Sequence, residues 1–329
     1  MKRMLSGIKP TGPLTLGNYI GALKNFVQYQ NDYEMFVFVA NLHCITEYQD
    51  PEELNKNLRD ATALYLAAGL DPEKTTLFLQ SDVLEHSQLA YILQCNSYLG
   101  ELNRMTQYKD RIARKETSIT VGLYTYPTLM ASDILLYDAD FVPVGIDQKQ
   151  HVELTRDVAI RMNNLYKQEL FVVPQPVIEE VGAKIYSLSD PTKKMSKSDR
   201  LDDKGNIYLL DNPKKARKKI MSAVTDSLNQ IKFDPENQPG ISNLLTIAAS
   251  LKQISIEAVI EETQGLQYGG FKKYVADIVE NFLVDLQTKY KQVLESKVID
   301  EIFDQGAQKA RSIAQEKLHK VQKVIGLEI

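Results

Sequence analysis

The stretch Lys193-Lys194-Met195-Ser196-Lys197-Ser198 puts three ammonium groups within five residues, separated by small hydroxyl and flexible thioether side chains. A lysine is a compact point charge with rotatable donors, suited to following a phosphate that moves. A loop carrying several can close over a polyanion and neutralise charge developing on a leaving pyrophosphate, which is help given to a transition state. A solvated basic loop is the alternative, since charge runs usually face water. The run Lys214, Lys215, Arg217, Lys218 and Lys219 also has two readings, a contact for nucleic-acid phosphates or a solvated helix face.

A second polar constellation lies near the N-terminus. Gly7, Gly12 and Gly17 flank a strand-to-helix turn, yet the spacing is neither G-x-G-x-x-G nor a P-loop, since Lys-Ser/Thr does not follow Gly17. What remains is Gly17-Asn18 at a helix N-terminus, where free N–H groups and the helix dipole favour a phosphate. Thr15 and Asn18 suit that job and suit helix capping equally. A third feature is Asp133, set in the apolar stretch 129–137 one helical turn from Met130. An unpaired carboxylate there would be costly, so it needs a partner from ligand or protein. Met130, Val142 and Val144 taken alone read as ordinary core.

These groups need a frame to bring them together. Apolar runs at 4–8, 35–42, 75–80, 141–144 and 184–188 read as strands. Between them lie helical patterns: one from about Thr15, one from the Asp50-Pro51-Glu52-Glu53 start to Gly69, a long region to about Met105, then 126–137 and 148–165. Such alternation implies an α/β fold, a doubly wound parallel sheet that binds ligands at the carboxyl ends of its strands. The character changes after about Asp199. Asn212-Pro213 starts the basic helix, and two long amphipathic helices finish the chain. The expected division is a Rossmann-like domain, 1–203, with the lysine loop at its end, and a helical domain, 204–329, whose last helices can pack back on the first.

The chain has 329 residues, 43% hydrophobic and 25% charged, as in an ordinary globular protein with a large core. Its net charge of −4 confines nucleic-acid binding to local basic patches. Cys44 and Cys95 both sit in apolar surroundings and read as buried free thiols. His43, His86, His151 and His319 lack metal-ligand spacing, which argues against a protein-held zinc. Neither a signal-peptide core nor a membrane-spanning run is apparent, so the expected location is cytoplasmic.

Lys194-Met195-Ser196-Lys197-Ser198 is the second signature of the class I aminoacyl-tRNA synthetases, and Thr15-Leu16-Gly17-Asn18 resembles their His-Ile-Gly-His signature in the form typical of bacterial tryptophanyl-tRNA synthetases. Ser6-Gly7-Ile8, Tyr126-Pro127 through Tyr137, Val142-Pro143-Val144-Gly145 through His151, and Ala223-Val224-Thr225-Asp226-Ser227 resemble the same family, nearly end to end. The resemblance implies tryptophan activation by ATP with Mg²⁺, transfer to tRNA(Trp), and a homodimer. It implies catalytic roles for Thr15, Asn18, Arg111, Lys194 and Lys197. ATP would be met by Lys9, Pro10, Thr11, Gly17, Asn18, Gly145, Asp147, Lys194, Met195, Ser196 and Lys197, with Asp147 on the ribose. Tryptophan would be met by Leu5, Gly7, His43, Tyr126, Met130, Asp133, Val142, Val144 and Gln148. In that set Tyr126 and Gln148 hold the amino group, and Asp133 accepts the indole N–H. The basic helix would touch the acceptor arm, and the last helices would bind the anticodon. Lys9 stands where the family usually has Gln, Asn41-Leu42-His43 where Asp-Gln-His is common, and Arg111 where lysine is frequent. Two alternatives are a tyrosyl enzyme, against which Met4, Leu5 and Ser6 stand where a Tyr belongs, and a non-catalytic paralogue, against which the intact lysine signature stands.

Overall fold

The run Met35, Phe36, Val37, Phe38, Val39 is apolar at every position because it forms a central strand covered on both faces. The computed structural model describes residues 1–10, 12–178, 184–195 and 204–328, the side chain of Asp147 excepted. Its sheet contains β1 (Arg3–Ile8), β2 (Glu34–Val39), β3 (Thr75–Leu79), β4 (Phe141–Pro143) and β5 (Gln175–Val177), in the order β3-β2-β1-β4-β5. Every pairing is parallel. Alternation along β2 divides the core: Met35, Val37 and Val39 join one cluster, while Phe36 and Phe38 join the other across the sheet.

The chain leaves β1 toward β2 and later returns to place β4 on β1's other side, so the order reverses between β1 and β4. A crevice opens at the carboxyl ends of strands at such a reversal. Leading away from β1 are α1 (Leu16–Asn18), a π-helical turn Tyr19–Leu23, and α2 (Lys24–Tyr29). Then come α3 (Asn41–Cys44), directly after β2, and α4 (Pro51–Ala67). Asp50 caps α4 by accepting from the N–H groups of Glu52 and Glu53, and Pro51 takes the first position, where no N–H is needed. The expected long helical region after β3 consists of α5 (Glu85–Gln94) and α6 (Leu99–Leu102), followed by α7 (Thr106–Ala113). α8 (Val121–Leu135) begins earlier than its apolar pattern suggested, because Thr120 caps it and Pro127 is carried inside. α9 (Lys149–Tyr166) follows β4.

Helices α10 (Pro213–Met221), α11 (Pro239–Lys252), α12 (Ile256–Glu262), α13 (Tyr268–Ser296) and α14 (Val298–Ile325) complete the chain. They share the sheet's cores: Ala216, Leu244 and Phe271 lie in one cluster with Leu16 and Val37, and Ala310 and Leu318 in the other with Phe36. α14 lies along the edge strand β3. A Cβ on Gly306 would sit 1.9 Å from the carbonyl oxygen of Leu77, so only glycine permits that approach, and the helix covers an edge that would otherwise be open to pairing.

Two further expectations are corrected. Residues 184–188 do not join the sheet; they form an antiparallel bridge, Tyr186 to Lys194, while β5 supplies the remaining strand. Cys95 is exposed, at the end of α5, whereas Cys44 is buried with its thiol on the carbonyl of Ala40. The expected domain boundary falls beside 196–203, outside the described residues. No single helix among the described residues is long and apolar enough to cross a membrane.

Candidate active site

The reversal between β1 and β4 holds a cavity of about 400 Å³. Leu5, Gly7 and Lys9 enter it from β1 and the residues after it, and Val142, Val144 and Gly145 from β4 and its continuation. Gly7 keeps this end open: a Cβ there would lie 2.8 Å from the Phe38 ring. His43 reaches in from α3, Tyr126, Met130 and Asp133 from α8, Gln148 from the turn before α9, and Asn18 from α1. Sequence-distant residues thus gather in one apolar slot with a polar mouth, the form of a small-molecule site.

Asp133 is the polar centre of the slot, and its side chain is almost wholly buried. Its Oδ1 accepts from His86 Nδ1 at 2.6 Å and from Gln80 Nε2 at 2.7 Å, and its Oδ2 accepts from His43 Nε2 at 2.8 Å. A carboxylate can only accept, so each of those nitrogens carries a proton on the facing side. His86 Nε2 in turn meets the hydroxyl of Tyr137 at 2.8 Å. Burial pushes the Asp133 carboxyl upward, but the charge and hydrogen bond of His43 and the hydrogen bond and charge of His86 together outweigh it, leaving the group at about 2. Burial, followed by the charges of Asp133 and Glu85, drives the Tyr137 hydroxyl far above the usual phenol range. The partner that the apolar setting of Asp133 demanded is therefore protein. His86 and Gln80 carried no sequence signal toward Asp133 beyond the scarcity of histidine in the chain.

Tyr126 is bonded through its hydroxyl to Nε2 of the buried His151, and its ring meets His43 edge-on. At the mouth, Thr15 and Asn18 form a closed box. The Thr15 N–H donates to Asn18 Oδ1 at 2.9 Å, the Thr15 hydroxyl donates to the same oxygen at 3.0 Å, and the Asn18 N–H donates to the Thr15 hydroxyl at 3.2 Å. A backbone N–H can only donate, which fixes the amide so that its oxygen faces Thr15 and its NH₂ is turned away from it. Thr15 is fully buried, orients Asn18, and is absent from the described lining of the cavity.

Other expected site residues stand outside the described lining of the cavity. Arg111 is not among the described residues lining the cavity; its guanidinium is paired with Glu47 and Glu116. Pro10 is buried beside the cavity and is likewise absent from its described lining. Met195 is buried at 1% exposure and packs where Gly17 lacks a side chain; a Cβ on Gly17 would lie 3.4 Å from Met195 Cβ and 3.5 Å from Ile185 Cβ. Gly17 and Met195 thus fasten the lysine segment to the first helix. Lys194 is exposed. Thr11, Ser196, Lys197 and the Asp147 side chain lie outside the described residues.

The basic helix divides into two groups. Arg217 pairs with Asp277 and Glu280, and Lys219 with Asp211 and the Asn206 carbonyl, whereas Lys214, Lys215 and Lys218 are exposed. Among the described residues no group of three His, Cys, Asp or Glu side chains is placed to hold a metal.

Residues 1–284 match the family of class I tRNA synthetases (W and Y). The chain is 51% identical over 331 residues to the tryptophan–tRNA ligase of Malacoplasma penetrans, covering 99% of this chain and 98% of that one. It is 51% identical over 324 residues to the corresponding ligase of Bacillus subtilis, covering 98% and 97%. Among solved structures it is similar to tryptophanyl-tRNA synthetase from Mycoplasma pneumoniae, with TM-score 0.87 and 41% identity over 100% of this chain and 98% of that one. It is also similar to the Campylobacter jejuni enzyme complexed with ADP and tryptophan, with TM-score 0.84 and 40% identity over 98% and 99%. A tyrosyl-tRNA synthetase from Archaeoglobus fulgidus, with TM-score 0.68 and 20% identity over 88% of this chain and 90% of that one, shares the fold.

Proposed function

We propose the following division of labour for a chain that belongs to the class I tRNA synthetases (W and Y) and works as a tryptophan–tRNA ligase. The observation that carries it is the single cavity joining a buried, ionised Asp133 in an apolar slot to the Asn18 and Lys9 mouth. Met130, Val142 and Val144 wall the indole, and Asp133 accepts its N–H. Tyr126, held through its hydroxyl by His151, faces the ligand ammonium, and Gln148 supplies a further acceptor. The tryptophan carboxylate then attacks the α-phosphorus of ATP, and the bond to the bridging oxygen of pyrophosphate breaks. Asn18 and Lys9 face the phosphates from the sheet side. Lys194 and Lys197 neutralise charge on the departing pyrophosphate. The 2′ hydroxyl of the terminal tRNA nucleotide next attacks the adenylate carbonyl, releasing AMP.

Mg²⁺ enters on the nucleotide's phosphate oxygens, and the reading calls for no protein-held zinc. Residues 1–203 carry catalysis and 204–329 meet tRNA, a division supported by the exposed Lys214, Lys215 and Lys218. The exposed apolar side chains Leu84, Tyr91, Tyr98 and Leu99 on and around α5 and α6 support a homodimer. The need for ATP and tRNA supports a cytoplasmic place of action. The test is ATP–pyrophosphate exchange with purified protein. Exchange that depends on tryptophan is expected; exchange driven by tyrosine instead, or none with any amino acid, would overturn the reading.

A further inference from the structure

Asn243 stands on α11, well outside the cavity, and only 4% of it is exposed. Its amide serves one residue. Oδ1 accepts from the N–H of Tyr186 at 2.9 Å, and Nδ2 donates to the carbonyl of Tyr186 at 2.9 Å. The backbone groups of Tyr186 fix which amide atom is which. Tyr186 also bridges antiparallel to Lys194, and the two bonds of that bridge come from its neighbours: Ser187 N–H to the Lys193 carbonyl at 2.8 Å, and Met195 N–H to the Ile185 carbonyl at 2.9 Å. In such a non-hydrogen-bonded pair the N–H and C=O of the paired residue point to the far edge of the ribbon. There Asn243 takes both, doing with one side chain what a third strand would do.

From this juxtaposition we infer that Asn243 is a positioning residue for adenylate formation, holding through Tyr186 the backbone that carries Lys194. The inference rests on the proposed role of Lys194. The segment is fixed from two sides: Met195 is seated against Gly17 beside the cavity mouth, and Asn243 grips the ribbon from the helical region. Replacing the Asn243 side chain leaves Met195 in place but frees the outer edge of Tyr186. The lysine then samples positions away from the departing phosphate, and small displacements of a catalytic group cost rate steeply. The indole slot is built by other elements, so tryptophan binding is untouched.

The experiment is a double-mutant cycle on tryptophan-dependent pyrophosphate exchange, using the full chain with Asn243→Ala, Lys194→Ala and both together. Asn243→Ala alone is expected to lower kcat by about tenfold or more, with KM for tryptophan within about twofold. Added to Lys194→Ala, the same change is expected to cost less than about twofold, because the group it positions is gone. A double mutant that loses the full product of the two single effects overturns the inference and leaves the Lys194 role standing. So does an unchanged kcat in Asn243→Ala. An unaltered rate in Lys194→Ala refutes the Lys194 role and takes the inference with it. If Asn243→Ala loses its cooperative melt, Asn243→Ser, which keeps a small polar group but not the paired amide, replaces it in the same cycle with the same criteria.

Discussion

Replacing tryptophan by its benzothiophene analogue, which keeps the shape but lacks the ring N–H, probes how Asp133 chooses its ligand. An aspartate left unpaired in an apolar slot would reject such a ligand by roughly 10⁴, the discrimination of a site built around one buried hydrogen bond. The geometry lowers that figure. A carboxylate offers about four lone-pair positions. Three are taken by His86, Gln80 and His43 at 2.6, 2.7 and 2.8 Å. The indole N–H can claim only the position left on Oδ2. When it is missing, Asp133 remains a carboxylate with three donors, and the loss is one charge-assisted bond of about 1.5–3 kcal/mol. That corresponds to roughly 10- to 150-fold in kcat/KM. The assay is pyrophosphate exchange with each amino acid at saturating ATP. Discrimination near 10⁴ would refute the donor count, and equal use of both ligands would remove Asp133 from specificity.

Other outcomes are expected. Lys194→Ala and Lys197→Ala should each lower kcat for exchange by about a hundredfold or more, with thermal stability little changed; rates within a few-fold of the parent would dismiss the loop's role. Neutralising Lys214, Lys215 and Lys218 together should weaken tRNA binding and flatten its salt dependence while leaving exchange intact; an unchanged slope would return the helix to a solvated face. The Asp133 carboxyl is held at about 2 against an ordinary 3.8, so its stabilisation is complete above the ordinary value and is lost as pH falls from there toward 2. It is worth roughly 2 kcal/mol, and denaturant unfolding between pH 5 and 2.5 should show that loss in the parent and not in Asp133→Asn.

The sheet was legible because strands buried on both faces read as unbroken apolar runs, as at 35–39. Hydrogen-bond partners were not. Residues 184–188 have the apolar pattern of a strand, with Ile185 and Leu188 buried, yet they bond to the lysine segment and to Asn243, and no periodicity announces that choice. β5 was missed for the opposite reason. Gln175-Pro176-Val177 carries a proline, which argues against a central strand but is tolerated at an edge, and β5 pairs only with β4. The cavity wall was legible residue by residue wherever a motif carried it. The buried shell behind it, Gln80, His86 and Tyr137 around Asp133, was legible only as the demand that a carboxylate among apolar neighbours find partners.

The two signatures also differ in what their residue types signify. Thr15 and Asn18 look alike as phosphate donors, but the box they form requires one oxygen to face inward, so Thr15 is buried and Asn18 alone has an amide group left for the cavity. In the lysine segment the division runs by alternation. Met195 follows an exposed lysine on an extended ribbon, where successive side chains point to opposite faces. Its burial against Gly17 therefore sends Lys194 outward. The methionine is as much a condition of the loop's chemistry as the charges are: a polar residue there would leave the core, and turning it outward would turn Lys194 with it. In the described part of the basic loop, the exposed Lys194 is thus flanked by two buried residues, Met195 along the chain and Asn243 across the ribbon.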